Sequence, residues 1–261
     1  MKRFFNIITT CLLFFGTFSY AQTYSAISAN GDETSIIFNN DNTLTVESFS
    51  RDDGDDKSMR CSIKRYKNSG INFLTINNKK YLCLKCDELL YLYKENGQPF
   101  FAGTKFSYME SEFIKPINDI KSSSNLSEGN LVYSSEDMSN AIGKPWAEGV
   151  EKSGIGEWIK FTVNPRQELY ISIGFVDYNR PYLYWDNSRP KTVMLYFNDI
   201  LYKEIHLADT PDFQKIIIPE SVRENTELKI EIRDVYIGSK YDDTCINMIL
   251  CNDNPYYKGL K

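Results

Sequence analysis

KPWAEGVEKSGIGEWI, residues 144–159, sets Trp146 and Trp158 among Gly149, Gly154 and Gly156 and the carboxylates Glu148, Glu151 and Glu157. Glycines this close together mark loop, because they adopt backbone angles that other residues avoid. At Ile159 the pattern changes. Ile159, Phe161 and Val163 alternate with Lys160 and Thr162, the period of a strand with one buried face. The span therefore reads as a loop that opens a ligand-binding β-sandwich, with Ile159 as the first buried strand position.

The same alternation continues to the C-terminus. Leu169, Ile171, Ile173 and Phe175 form one apolar set; Val193, Leu195 and Phe197 another; Leu201, Ile205 and Leu207 a third. Phe213 to Ile218 is more continuously apolar. Leu228, Ile230 and Ile232 alternate with Lys229, Glu231 and Arg233, and Cys245 to Leu250 closes the series. One apolar and one polar face per strand is the mark of antiparallel sheets packed face to face. With no long helical period, residues 131–261 read as a jelly-roll sandwich.

Upstream, residues 22–115 read as a small antiparallel sheet or barrel. Short strands at 35–38, 43–49, 71–76, 81–85 and 89–93, with Phe100-Phe101 closing, are separated by turns such as Asn39-Asn40-Asp41-Asn42 and Glu95-Asn96-Gly97. The run Arg51-Asp52-Asp53-Gly54-Asp55-Asp56-Lys57 has the carboxylate density of a calcium loop but not the ligand spacing of an EF-hand, and a solvated hairpin tip accounts for it. Residues 116–130, with Pro116, Ser122-Ser123-Ser124 and Gly129, offer little to bury and read as a linker.

Composition narrows the function. With 42% hydrophobic and 25% charged residues the chain is globular. Residues 1–21 have the layout of a signal peptide: Lys2 and Arg3, an apolar core from Ile7 to Phe18, and Ser19-Tyr20-Ala21 before the expected cut. Setting these residues aside leaves 28 basic against 35 acidic residues. That balance, without basic clusters, argues against a nucleic-acid partner. No other apolar run is long enough to span a bilayer, so the expected product is exported: periplasmic, cell-surface or secreted. Five cysteines remain after cleavage (Cys61, Cys83, Cys86, Cys245 and Cys251), and the odd count leaves at least one thiol unpaired within the chain. Cys83-Leu84-Lys85-Cys86 has the spacing of a zinc half-site but no second Cys or His pair. Buried thiols, or one bridge within 22–115, are the expectation.

Three segments in order resemble the NADase-type glycan-binding domain, a bacterial family named for NAD glycohydrolase toxins that carry it beside a separate catalytic domain. They are Pro145-Trp146-Ala147-Glu148-Gly149 with Gly154-Ile155-Gly156-Glu157; Asn187-Ser188-Arg189-Pro190-Lys191 after the aromatics Tyr182 and Tyr184; and Asp234-Val235-Tyr236 with Gly238 and Lys240-Tyr241-Asp242-Asp243-Thr244-Cys245-Ile246. Leu207-Ala208-Asp209-Thr210 and Gln214 also fit, so the likeness runs from about 131 to 251. It implies a galactose-binding-like or discoidin-like jelly roll and, by the family's name, carbohydrate binding. Pro145 stands where a Thr is common, and Ile237 where many relatives have proline.

Sugar sites need an aromatic platform and a few fixed polar groups. The candidates are Trp146, Tyr178, Tyr184, Trp185 and Tyr236 as platforms, with Glu148, Glu157, Asn187, Arg189, Lys191, Asp234, Lys240, Asp242 and Asp243 as polar partners. The alternative is architectural: a Trp plug at the end of the core and an ion-pair network pinning the loops. No cofactor is implied, although Asp234, Asp242 and Asp243 leave calcium open. Catalysis is not expected. Glu148 and Glu157 are candidates by type for a glycoside-hydrolysing pair, but nothing in the sequence fixes their separation, and the lone His206 lies in an alternating strand. Gly149, Gly154 and Gly156 match neither a phosphate loop nor a dinucleotide fingerprint, so no NAD site follows from the family name. The expectation is a non-catalytic glycan-binding or other polar-ligand-binding protein, with a structural or protein-interaction module of the envelope as alternative and a glycoside- or NAD-cleaving enzyme third.

Overall fold

The computed structural model describes residues 22–28, 31–52, 54–105, 112–139 and 144–253. The expected signal segment 1–21, and Asp53 of the acidic run, lie outside them.

Eight antiparallel strands close into a barrel: β1 (Gln22–Ile27), β2 (Glu33–Phe38), β3 (Thr43–Phe49), β4 (Asp56–Asn68), β5 (Ile71–Ile76), β6 (Lys79–Lys85), β7 (Leu89–Tyr93) and β8 (Pro99–Thr104). Closure is made by β1 against β8 at Ser25 and Thr104. Tyr24, Ile36, Leu44, Ile63, Leu74 and Leu92 fill the interior, because alternate side chains of each strand point inward. The strand LLYLY of β7 is buried along its whole length. Its second face meets the other half of the molecule: Phe73, Leu82, Leu84 and Leu89 share one core with Tyr170, Val176, Phe213 and Leu250.

The sequence pattern missed β4, the longest strand of the barrel. Only Cys61 and Ile63 are buried in it; the next inward positions are Arg65 and Lys67, so no apolar period is visible. The acidic run before it is the exposed β3–β4 turn, where Gly54 N–H donates to the Ser50 carbonyl at 2.9 Å.

The rest is a two-layer sandwich. One sheet has the order β10 (Lys121–Ser122), β14 (Trp158–Val163), β19 (Thr226–Tyr236), β16 (Arg189–Phe197), β17 (Ile200–His206). The other runs β13 (Trp146–Ala147), β20 (Cys245–Asn252), β15 (Glu168–Ile173), β18 (Gln214–Ile217), with β9 (Ile114–Pro116) also on β20. A hairpin of β11 (Leu126–Glu128) and β12 (Leu131–Tyr133) stands apart. Ile159, Phe161, Val193 and Leu228 of the first sheet face Leu169, Ile171, Ile246 and Ile249 of the second. The chain is thus all-β, a small barrel followed by a sandwich.

Residues 116–130 are not the contact-poor linker their composition suggests. β10 pairs with β14 at Lys121–Lys160 and Ser122–Ile159, and β9 pairs with β20 from Ile114 to Pro116. Ile117 and Ile120 are buried in the sandwich core. The serines are polar because their hydroxyls bind sandwich loops.

All five described cysteines are free thiols. Burial pushes Cys83 up to about 12, with Asp212 adding to the shift and Lys85 and Arg65 opposing it. A thiol held neutral in this way is a poor metal ligand.

Candidate functional site

The span 144–159 is built into the end of the sandwich. Trp146 pairs with Ile246 in β13 and is 0% exposed. Its indole N–H donates to the Ser124 carbonyl at 2.9 Å. Ser123 and Ser124 hydroxyls donate to the Glu157 carboxylate, and Ser124 Oγ accepts the Gly149 N–H at 2.9 Å. The serine run therefore roofs the tryptophan.

Glu148 is buried too. It accepts the N–H of Thr244 at 3.0 Å and of Val150 at 2.9 Å. Burial raises its pKa above the usual carboxylate value, and these two N–H groups oppose the shift. Gly154 closes over it: φ is +61°, and a Cβ there would lie 2.4 Å from Glu148 Cγ. Neither Trp146 nor Glu148 offers a surface to a ligand, and Glu157 is spent on two serines. This is the architectural reading of the motif. It leaves the Glu148–Glu157 pair without the open geometry a glycosidase needs.

A second cluster centres on Arg189, 3% exposed. Its Nε and Nη2 reach Asp209 at 3.0 and 2.8 Å, and Nη1 donates to the Asn187 carbonyl at 2.8 Å. The guanidinium lies 5.1 Å from the Tyr184 ring, 5.0 Å from Trp185 and 5.9 Å from Tyr236. Tyr184 donates to Asp209 at 2.9 Å, and burial beside that carboxylate raises its pKa. Asn187 ends the one-turn helix α1 (Leu183–Asp186) and donates to the Leu183 carbonyl at 2.9 Å. Tyr236 donates to the Leu207 carbonyl at 2.9 Å. Lys191 and Asp234 pair at 2.6 Å on the surface, which lowers the pKa of the acid and raises that of the base.

Tyr178 and Trp185 turn to the barrel. Tyr178 donates to the Lys80 carbonyl at 3.0 Å and packs edge-on to Phe73. Lys80 Nζ sits 4.2 and 4.3 Å from those two rings. Trp185, 41% exposed, covers Gly70, where a Cβ would approach its Cζ2 to 2.9 Å.

What remains open is a cleft of about 110 Å³ between these clusters. Tyr133 and Phe175 meet edge to face at 5.7 Å on its floor with Leu183. Arg180, Glu128, Tyr241, Asn187 and Asp243 supply the polar rim. Burial, with Glu128 and Asp242 nearby, raises the Asp243 pKa. Arg180 is held by Asp177 at 2.9 Å. Lys240 lies 4.8 Å from the Tyr241 ring, and Asp242 is exposed beside it. Of the ligand candidates named from the sequence, Asn187 and Asp243 line this cleft. Tyr133, Phe175, Arg180 and Tyr241 were not among the candidates because they come from β12, the segment after β15 and the segment between β19 and β20, with no shared spacing. Among the described residues no group of three or more His, Cys, Asp or Glu side chains is arranged to hold a metal ion. The arrangement suits reversible binding by hydrogen bonds and aromatic contact.

The family described as NAD glycohydrolase translocation F5/8 type C domain matches residues 112–252, more than half of the chain. A solved structure of the CBM51-2 and INT domains from Clostridium perfringens ZmpB is similar at 10% identity and a TM-score of 0.25. The likeness covers 88% of this chain and 40% of that one, and at that TM-score it does not bear on the fold. No curated protein matches the chain.

Proposed function

The chain belongs to the NAD glycohydrolase translocation F5/8 type C domain family, and from that premise we propose that it is an exported, non-catalytic protein whose sandwich binds a glycan. The family description names an F5/8 type C domain concerned with NAD glycohydrolase translocation, not the glycohydrolase itself, which supports binding over turnover. The observation that carries the reading is the cleft floored by Tyr133 and Phe175 and rimmed by Arg180, Asn187, Tyr241 and Asp243. An aromatic floor takes the apolar face of a sugar, and the rim takes its hydroxyls. At about 110 Å³ it is far smaller than an enclosed ligand pocket of roughly 300–1,000 Å³. It therefore accepts one residue of a larger glycan whose remainder stays in solvent. The pairing of β9 and β10 with sandwich strands supports counting residues 114–122 with the sandwich.

The test is a glycan array with the intact protein, followed by titration of the best ligand against Arg180→Ala and Tyr241→Ala. Both side chains are exposed at the rim, so both variants should lose about tenfold in affinity, roughly one or two hydrogen bonds to a charged or polar partner. Tyr241→Ala should keep the melting temperature, while Arg180→Ala should lower it modestly because Asp177 loses its ion pair. Absence of binding to any glycan by the folded protein refutes the reading. A second reading, a structural or protein-interaction module of the envelope, is favoured by the burial of Trp146, Glu148 and Arg189. It predicts that the 144–159 motif acts on stability alone, and the rim variants separate the two.

A further inference from the structure

The barrel carries a feature outside the stretch that matches the family. Strand ends and turns place Gln22, Phe38, Lys67, Asn72 and Lys85 at one end of it, the end closed by the β4–β5 and β6–β7 turns. There the interior opens into a cavity of about 300 Å³. Tyr24, Phe38, Leu74, Cys83 and Leu90 line its apolar part. A second cavity of about 370 Å³ adjoins it, sharing Gln22, Tyr24 and Lys85 and reaching Lys105 and Phe213.

Inward positions of a small barrel are ordinarily filled by apolar side chains, as they are deeper in this one. At the mouth the alternation that points Cys61 and Ile63 inward continues to Arg65 and Lys67, and that of Tyr81 and Cys83 continues to Lys85. Lys105 Nζ lies 5.6 Å from the Tyr24 ring and Arg65 Cζ 4.9 Å from the Phe38 ring. The ion pairs among the described residues include none of Arg65, Lys67, Lys85 and Lys105. Two carboxylates face them. Asp212 accepts Asn72 Nδ2 at 2.9 Å and the Lys85 N–H at 3.2 Å, and Asp87 lines the second cavity. The mouth is thus net positive in a chain whose formal charge is −5.

We propose that the barrel mouth binds a small organic anion, a carboxylate on an apolar body, with the headgroup on Arg65, Lys67 and Lys85 and the body against Tyr24, Phe38 and Leu74. A guanidinium resting on an aromatic ring is oriented for a planar carboxylate. The volume lies at the lower end of the range for enclosed ligand sites, roughly 300–1,000 Å³, which fits a medium-chain or single-ring acid. Asp212 and Phe213 of the sandwich line the adjoining cavity, and Asp212 bonds Asn72 and Lys85 of the site's own lining. Occupancy would therefore stabilise the joint between barrel and sandwich.

The experiment is isothermal titration calorimetry of octanoate into the intact protein, with octanol and octyltrimethylammonium as probes of the same tail. Saturable binding of octanoate is expected, with the alcohol and the cation at least about tenfold weaker, the order of a charge-assisted hydrogen bond. Arg65→Gln and Lys67→Gln, both exposed and free to fold, should each weaken octanoate about tenfold on the same scale. Lys64→Gln, the same charge change on the outward face of β4, should leave it unchanged. No saturable heat, equal binding of octanol, or equal affinity in Arg65→Gln and Lys64→Gln would each overturn the proposal.

Discussion

Replacing Trp146 with alanine decides whether the tryptophan of the motif is a platform or a plug. The indole is completely buried in the core between the two sheets. A buried aromatic side chain removes about 150–250 Å² from water, worth roughly 4–6 kcal/mol at about 25 cal/mol per Å². Measured truncations of this kind cost about 3–5 kcal/mol, because the cavity partly collapses. The bond from Nε1 to the Ser124 carbonyl adds about 0.5–1.5 kcal/mol. For a chain of this length each kcal/mol moves the midpoint by roughly 2–4 °C. Trp146→Ala should therefore lose about 3.5–6.5 kcal/mol and melt roughly 7–26 °C below the wild type, by circular dichroism on the intact protein, and unfold at lower urea. Trp146→Phe keeps most of the buried area, loses the donor, and should fall between them. A Trp146→Ala variant that melts within about 2 °C of wild type refutes the buried assignment, most of all if it also stops binding glycan.

Other perturbations test other joints. Glu148 has its folded pKa raised above 4.5, so the stability tied to it is fully present below that value and is lost as the pH rises through the folded pKa. Wild type should gain on Glu148→Gln as the pH falls from 7 to 4, in parallel urea titrations; a difference that is flat or runs the other way rejects the burial cause. Arg189→Met strands the Asp209 carboxylate, which is 26% exposed. Partial exposure brings the expected loss to about 2–3 kcal/mol, under the 3–5 of a fully buried pair, and Arg189→Met with Asp209→Asn should cost less than the two singles combined. Gly70→Ala meets both a φ of +83° and the Trp185 ring, so a loss of about 1–2 kcal/mol should accompany a shift in tryptophan emission, and unchanged emission would remove Trp185 from the joint. The fragment 131–261 lacks β9 and β10 and should show no cooperative melt; a sharp transition would restore 116–130 to the role of a linker.

Much of the fold is visible in local pattern. The strands read at 43–49, 71–76 and 89–93 are β3, β5 and β7 with the same limits, and Ile159 is the first buried residue of β14. Period-two alternation survives wherever one face is apolar, and it is a local property. It failed where the inward face turns polar, as in β4 with Arg65 and Lys67, and where strands of two or three residues are held by distant partners. β10 is such a strand, reading as linker because its serines serve loops rather than a core.

The sequence by itself determined that the chain is all-β, that a glycine-rich loop leads into a sandwich whose first buried strand position is Ile159, and that Gly149, Gly154 and Gly156 match neither a phosphate loop nor a dinucleotide fingerprint. Tertiary structure alone decided which way the motif faces. Trp146 finds its acceptor 22 residues away, and Glu148 finds the Thr244 N–H 96 residues away. Tyr178 and Trp185 find their partners in the barrel. A polar or aromatic side chain carries no local sign of whether its partner will be a ligand or another strand. That outcome depends on which groups remain unsatisfied when the two sheets and the barrel close, and here closure occupies the motif and leaves open the cleft beside it.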